Sequence, residues 1–277
     1  MSAPRTALIT GANSGIGLAL ATELQQQGYQ VIATARRDDA VAKLAAAGFL
    51  ALPLDVNDTK SRQALRQALQ ARGLSVDLLV NNAGFGAMGP VLDFTEQQWQ
   101  AQFATNLFAV ALVTKELLPL LEAAQGRVLN IGSVSASLVT PFAGAYCASK
   151  AALHAISEAM QMELAPLGVA VQWVVTGAVD TGFAARASAE LQWLSEQSPW
   201  WRFRDGITRR ANASQDFPTS AAAYAKALVK QLQRPPTRSP LYVGRGARLL
   251  PWLKRWLPWP LLSWILSRKF GLSAPTR

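Results

Sequence analysis

The chain has 277 residues, enough for one full core and a small appendage. One cysteine excludes an intramolecular disulfide and suits a reducing compartment such as the cytoplasm, and one histidine beside it leaves no zinc or haem ligand set, so no metal site is expected. The formal charge of +10 sits at one end, because residues 217–277 carry 11 Lys and Arg and no acid. Such a balance suits nucleic acid, an anionic membrane surface or a phosphorylated ligand. The opening "MSAPR" is too short and polar to read as a signal peptide, and no internal repeat is visible.

The first predicted element is a short buried strand, "RTALIT", at residues 5–10. A glycine-rich turn, "GANSGIG", follows at once, and "LALATELQQQG" then reads as an amphipathic helix closed by Gly28. Strand, glycine turn and helix make a dinucleotide-binding opening. Gly11 permits the tight turn, while Gly15 and Gly17 let the backbone approach a pyrophosphate that rests on free N–H groups at the helix N-terminus. The second strand, "YQVIATARR", ends without the acid that would hold a ribose 2′-hydroxyl. It has Ala35 there, then Arg36 and Arg37, whose guanidinium groups suit a 2′-phosphate, so NADP(H) is expected over NAD(H). The competing reading is that both arginines begin a helix and face water.

The third strand, "GFLALPLDV", is expected to end in Asp55, placed to meet an adenine amino group. The fourth, "VDLLVNNAG", ends in Asn81, Asn82, Ala83 and Gly84, which suit either a close backbone approach to a ribose or a simple turn. Ser133 follows the apolar run in "VLNIGSVSAS" and is expected to leave a strand end. Tyr146 and Lys150 lie four apart in the helical pattern "AYCASKAALHAI", which puts them on one face. A fixed ammonium beside a phenol stabilises phenolate and lowers its pKa from about 10, which fits the phenol for proton transfer near neutral pH. Ser133 could hydrogen-bond the same substrate oxygen. Cys147 reads as packing, and His154 as a packed or surface residue.

Together, "TGANSGIG" at 10–17, "NNAG" at 81–84, Asn106, Ser133, Tyr146 and Lys150 resemble the short-chain dehydrogenase/reductase family over about residues 5 to 183. The resemblance implies an α/β fold: one Rossmann-type domain with a doubly wound parallel sheet of about seven strands. It implies that Tyr146 is the general acid/base, that Lys150 binds the nicotinamide ribose and lowers the tyrosine pKa, and that Ser133 orients the carbonyl. Asn106 would hold a water in a proton relay to Lys150, although the residue alone reads equally as a satisfied polar group in a helix. The cofactor contacts implied are Gly11, Asn13, Ser14, Gly15, Ile16, Gly17, Arg36, Arg37, Asp55, Val56, Asn82, Ala83, Gly84, Tyr146, Lys150, Gly177, Val179 and Thr181. The family usually has Pro-Gly after its sixth strand, but here Thr176 precedes Gly177 in "VVTGAVDTGF", which puts the stiffness of that loop in question.

Residues 182–213 fall where the resembled family places its substrate lid. Trp193, Trp200, Trp201 and Phe203 there suggest a bulky apolar carbonyl or alcohol substrate, such as a steroid, retinoid or acyl chain, while Arg202, Arg204, Arg209 and Arg210 could meet a phosphate or carboxylate. The boundaries drawn are a catalytic domain at 1–246 and a basic Trp/Leu-rich helical tail at 247–277. In the tail, Leu249, Leu250, Leu253, Trp256 and Leu257 share a helical face, Pro258 and Pro260 break the helix, and a second begins near Pro260. Its charge-free run, 256–267, is shorter than the roughly 20 residues a spanning helix needs. Two readings of the tail stay open: an interfacial helix pair lying on a membrane, or a cap on the pocket or on a second subunit. The tryptophans sit in leucine-rich faces and not in an open basic groove, so nucleic acid is not expected. The reading reached is an NADPH-dependent oxidoreductase of a lipid-like carbonyl or alcohol, expected as a cytoplasmic homo-oligomer with or without peripheral membrane contact. A non-catalytic NADP(H)-binding sensor and a peripheral lipid-binding protein are the alternatives.

Overall fold

The computed structural model describes residues 4–183, 187 and 190–272. The lid expected at 182–213 and the tail expected at 247–277 therefore fall partly outside the described residues.

Seven strands form one parallel sheet: β1 (Thr6–Ile9), β2 (Gln30–Ala35), β3 (Leu50–Pro53), β4 (Leu78–Asn81), β5 (Arg127–Ile131), β6 (Ala170–Thr176) and β9 (Leu241–Val243), in the order β3-β2-β1-β4-β5-β6-β9. Two further strands, β7 (Val179–Asp180) and β8 (Thr219–Ser220), pair separately. The strands are nearly continuous apolar runs because helices cover both faces. In β1, Ala7 and Ile9 face one layer and Leu8 the other. The first layer is covered by α1 (Gly15–Gln26), α2 (Asp38–Ala46) and α8 (Ala221–Leu232), through Leu20, Leu24, Leu44, Tyr224 and Leu228. The second is covered by α3 (Thr59–Gln70), α5 (Ala109–Ala124) and α6 (Gly144–Leu164), through Leu65, Leu69, Val113, Leu117 and Leu121, with Met160 and Leu164. Each fully buried leucine contributes about 1.5–3 kcal/mol.

The sequence also writes the helix starts. Asp58 accepts from the N–H groups of Lys60 and Ser61 at the start of α3. Thr95 and Gln98 form a reciprocal cap on α4 (Glu96–Phe103), and Ser220 accepts from Ala223 N–H at α8.

The sheet order reverses between β1 and β4, and their C-terminal ends open the crevice where doubly wound sheets bind ligands. Two expected strand ends shift. β3 stops at Pro53; Leu54 N–H still bonds Ala35, but Asp55 already turns away, its N–H on Ser61 Oγ at 2.9 Å. β5 stops at Ile131, and Ser133 instead caps a short 3-10 turn, Val134–Ala136.

The lid carries 3-10 turns at Glu190–Trp193 and Trp201–Phe203, followed by α7 (Arg204–Asn212). The tail forms α9 (Leu249–Trp256) and α10 (Trp259–Lys269). Lid and tail share one cluster: Leu194 and Ile207 of the lid meet Leu262, Leu266 and Phe270 of the tail over Leu138 and Phe142. Arg209 donates to the Lys269 carbonyl at 2.9 Å, and Gly206 lies against the Phe270 carbonyl, where a Cβ would collide. The face expected for α9 splits, because Leu250 and Leu257 pack on the lid cluster while Leu249 and Trp256 are exposed. The anchoring stripe is instead Leu262, Leu266 and Phe270, spaced by one turn along α10. Among the described residues no helix is long and apolar enough to cross a membrane.

Candidate active site

The glycine-rich turn is built by close approach. Gly11 and Gly15 adopt φ of +64° and +56°, where other residues are strained. A Cβ on Gly11 would press on Ala83 at 3.1 Å, one on Gly15 on Thr181 at 3.2 Å, and one on Gly17 on Asn82 Nδ2 at 2.5 Å. Asn82 braces this turn by donating to the carbonyls of Thr10 and Gly11 at 2.9 and 3.1 Å. The Thr10 hydroxyl accepts from both Asn82 and Ala83 N–H at 3.0 Å. So "NNAG" is a strut between the ends of β1 and β4 and not a loose turn. Asn81 points inward, donating to Thr114 at 3.1 Å and to Asn130 at 2.9 Å, and Asn130 donates to Ser157 at 2.9 Å. Ser14 is the N-cap residue of α1, Ile16 packs on the first core layer, and Asn13 is exposed.

The two arginines after β2 differ. Arg37 is the N-cap residue of α2 and makes a bidentate pair with Asp39 at 2.9 and 2.7 Å. Arg36 is exposed, and no carboxylate pairs with it among the described residues. One Asp55 oxygen accepts from Asn57 N–H at 2.9 Å. Val56 lines a crevice with Thr10, Asn81 and Ala83. Across the opening, Gly177 N–H donates to the Val243 carbonyl at 2.9 Å, and Val179 in β7 leads to Thr181 against Gly15. Thr176, where proline was expected, shares a 2.8 Å hydrogen bond with the buried Tyr224 hydroxyl, so the segment keeps an anchor of a different kind.

Ser133, Tyr146 and Lys150 come together on the wall formed by β5 and α6. The Ser133 hydroxyl, which accepts from Ser135 N–H at 3.1 Å, is near enough to the Tyr146 phenol to pull its pKa down. Lys150 is buried and donates to the Ile131 carbonyl at 2.8 Å; burial lowers its pKa to about 8. The expected lowering of the phenol by Lys150 is corrected here. Burial dominates and raises the Tyr146 pKa; Ser133 and Arg210 oppose it, and Lys150 is not among the groups acting on it. Asn106 lies in a π-helical turn, Ala104–Phe108, a distortion that recurs at functional sites. Its side chain accepts from Phe85 N–H at 3.1 Å and donates to the Phe85 carbonyl and Ser149 at 2.9 and 3.1 Å. Those bonds make it a satisfied polar group in the wall.

A profile of the short chain dehydrogenase family matches residues 5–192. This chain belongs to that family. It is a nicotinamide-dinucleotide-dependent oxidoreductase. A short-chain dehydrogenase of Penicillium ochrochloron is 42% identical over 97% of this chain and 99% of its own length. The NADPH-dependent 1-acyldihydroxyacetone phosphate reductase of Saccharomyces cerevisiae is 32% identical over 97% of this chain and 92% of its own. The crystal structure of a short-chain dehydrogenase from Streptomyces avermitilis superposes with a TM-score of 0.78 at 31% identity, covering 91% of this chain and 92% of that one.

One site neighbour of this short-chain dehydrogenase, Phe183, escaped the sequence reading, and a second, Arg210, was not told apart there from the other lid arginines. Phe183 covers the Tyr146 ring, centroids 5.5 Å apart, and seats against Gly86, where a Cβ would collide with it. Among the described lid arginines, Arg210 alone is buried, 8% exposed. A helical repeat through "RDGITRRAN" carried the available signal, since Ile207, Arg210 and Ala211 share the buried face of α7. Among the described residues no cluster of three or more metal-ligating side chains occurs.

Proposed function

We propose that this protein is an NADP(H)-dependent carbonyl reductase, or the reverse alcohol dehydrogenase, acting on a bulky apolar, lipid-like substrate. The reading rests on Ser133, Tyr146 and Lys150 on one wall beside a glycine turn packed so closely that a Cβ at Gly17 would strike Asn82 and the Gly11 carbonyl. That cradle and the N-terminus of α1 suit a pyrophosphate. Arg36, without a carboxylate of its own, suits a 2′-phosphate, whereas Arg37 is held by Asp39. Val56 and the strut Asn82, Ala83 and Gly84 would flank the adenosine half, and Gly177, Val179 and Thr181 the nicotinamide half. The NADPH dependence of the yeast relative supports the same choice. When bound, the nicotinamide gives or takes the hydride.

The chain's own contribution is position and the proton. With its pKa raised, the Tyr146 phenol holds its proton at neutral pH and is ready as a general acid toward a carbonyl oxygen. Ser133 donates a second hydrogen bond to that oxygen. Lys150 donates to the Ile131 carbonyl and, in this reading, would meet the nicotinamide ribose. Phe183 packs against the Tyr146 ring. A lipid-like substrate is favoured by the aromatic lid, where Trp193 packs on Phe94 at 5.1 Å and on Gly89, and by the acylated substrate in the yeast relative's name.

A second observation favours peripheral membrane contact. Trp252, Trp256, Trp259 and Trp264 are each more than half exposed, at 56, 65, 54 and 57%. Lys254 lies 4.0 Å over Trp259, and Arg268 lies 5.5 Å over Trp264. Exposed indoles with cations beside them suit the headgroup layer of an anionic bilayer; a second copy of the chain is the competing occupant.

Turnover tests the enzyme reading. Tyr146→Phe keeps the ring and removes the transferable proton, so ketone-dependent oxidation of NADPH should fall about 10²- to 10⁴-fold. NADPH affinity, read by fluorescence quenching, should hold. Near-normal turnover by the variant rejects the role given to Tyr146.

A further inference from the structure

Phe183 touches two walls of the site at once. Its Cζ lies 2.4 Å and its Cε1 3.1 Å from where a Cβ on Gly86 would stand. Both are inside the roughly 3.5–4.0 Å of an ordinary carbon contact. On its other side the ring meets Tyr146, with centroids 5.5 Å apart and planes inclined by 55°, which is direct contact between rings. Met88 closes the same corner: it is 1% exposed, and its Cε lies 3.0 Å from the Gly86 Cβ position. One phenyl ring therefore joins the loop after β4 to α6. A substrate carbon laid between the two rings would need contact distance on both sides, roughly 7–8 Å in all. The rings are too close for that.

The segment carrying the ring is tied down. Phe183 N–H donates to Thr181 Oγ1 at 3.2 Å. The Thr181 Cβ in turn lies 3.2 Å from the Cβ position of Gly15. The ring is only partly buried, unlike Met88, Ala143 and Cys147 in the same patch. It cannot withdraw toward Gly86, because its Cζ already takes the space of the missing Cβ. A carbonyl oxygen that receives the proton must come within about 2.6–3.2 Å of the phenol oxygen. The carbonyl carbon and its first substituents then lie beside a phenol that Phe183 already touches.

We infer that Phe183 is a specificity-determining residue: it admits a carbonyl whose neighbouring carbon is an unbranched methylene or methyl, and rejects one whose neighbouring carbon is branched or part of a ring. Discrimination here comes from the clash with the wrong substrate. The inference rests on the oxidoreductase reading and narrows its lipid-like substrate to an open-chain carbonyl or alcohol, with fused-ring ketones excluded. Gly86 belongs to the same device, since a methyl there would drive the ring further over the phenol.

The test assays the full chain with NADPH and two isomeric ketones, dipropyl ketone and diisopropyl ketone. They differ only in branching beside the carbonyl, and they are symmetric, so either orientation presents the same group to Phe183. The ratio of kcat/KM is divided by the ratio for borohydride reduction in solution, which removes intrinsic reactivity. Wild-type protein should favour the unbranched isomer about 10- to 200-fold, the span that a misplaced carbon produces in an apolar pocket. Phe183→Ala should remove most of that preference. Phe183→Leu should remove part of it, and it serves if the alanine variant does not fold. Gly86→Ala should sharpen the preference in wild type and leave it unaltered in Phe183→Ala, because the methyl then has no ring to push. A corrected wild-type ratio near one overturns the inference. So does an unchanged ratio in Phe183→Ala, or an equal effect of Gly86→Ala with and without the ring. If neither ketone oxidises NADPH, the oxidoreductase reading falls. The affinity ratio of the two ketones, titrated calorimetrically with NADP⁺ present, then still decides the role of Phe183.

Discussion

Thr176→Val asks whether the hydroxyl that stands in for the family's proline carries structural weight. The replacement keeps shape and removes one oxygen. That oxygen lies 2.8 Å from the Tyr224 hydroxyl, and the two residues are 8% and 0% exposed. Tyr224 has no route to water, and burial already pushes its pKa up. Its hydroxyl would therefore be stranded, a penalty of about 1–3 kcal/mol. Tyr224→Phe strands the partly accessible threonine instead and should cost less. The double variant strands neither, so it should be more stable than the sum of the singles implies by about 1 kcal/mol. Urea titration at constant m-value measures all three. If Thr176→Val unfolds within about 0.3 kcal/mol of wild type, or if the singles simply add, the hydroxyl pair does not anchor β6 to α8.

Acid should expose His154. Burial and nearby Lys150 hold its pKa near 4 in the folded chain, against 6.5 when free. The unfolded chain thus takes up a proton that the folded chain refuses, and stability falls as pH drops from 6.5 toward 4, by at most about 3 kcal/mol. Lys150, lowered to about 8, acts in the same sense at higher pH, so its share of stability rises between 8 and 10.5. His154→Gln should flatten the acid limb of stability against pH, and identical limbs in both proteins would discard this account. On the tail, Phe270→Ala empties a site that is 2% exposed and should cost about 3–5 kcal/mol in thermal or urea unfolding. Serine at Trp252, Trp256, Trp259 and Trp264 together should leave unfolding nearly unchanged while abolishing flotation on anionic vesicles. Persistent flotation of that variant would end the membrane reading.

What was legible in the sequence was local. The strand, glycine turn and helix occupy 21 consecutive residues, Thr6–Gln26, and the Tyr146 and Lys150 pair needs only one turn of α6. Their order along the chain then fixed the parallel sheet. What stayed hidden depends on distant partners. Tyr224 lies 48 residues beyond Thr176, and no pattern near either announces the pair. The direction of the Tyr146 pKa follows from how deeply the lid and wall enclose it, which the spacing to Lys150 does not encode. Arg37 is the exception, because Asp39 stands two residues away and its claim on that guanidinium was readable. In the tail, the tryptophans drew the eye to α9, while the stripe that anchors the pair runs through Leu262, Leu266 and Phe270.

The amide network between β4 and β5 has a consequence for accuracy of assembly. Asn81 stands opposite Asn130 in the ladder, and their side chains close on Thr114 of α5 and Ser157 of α6. Alternative alignments of these strands would still bury leucine and valine. They would also part the two amides and leave each without a partner in a dry layer, at about 1–3 kcal/mol per stranded group. The network therefore contributes less to the depth of the native state than to its distance from misaligned competitors. β4 delivers the strut that braces the glycine turn, and β5 delivers Ser133. A single polar lock thus sets the spacing between the nucleotide cradle and the proton donor before any ligand arrives.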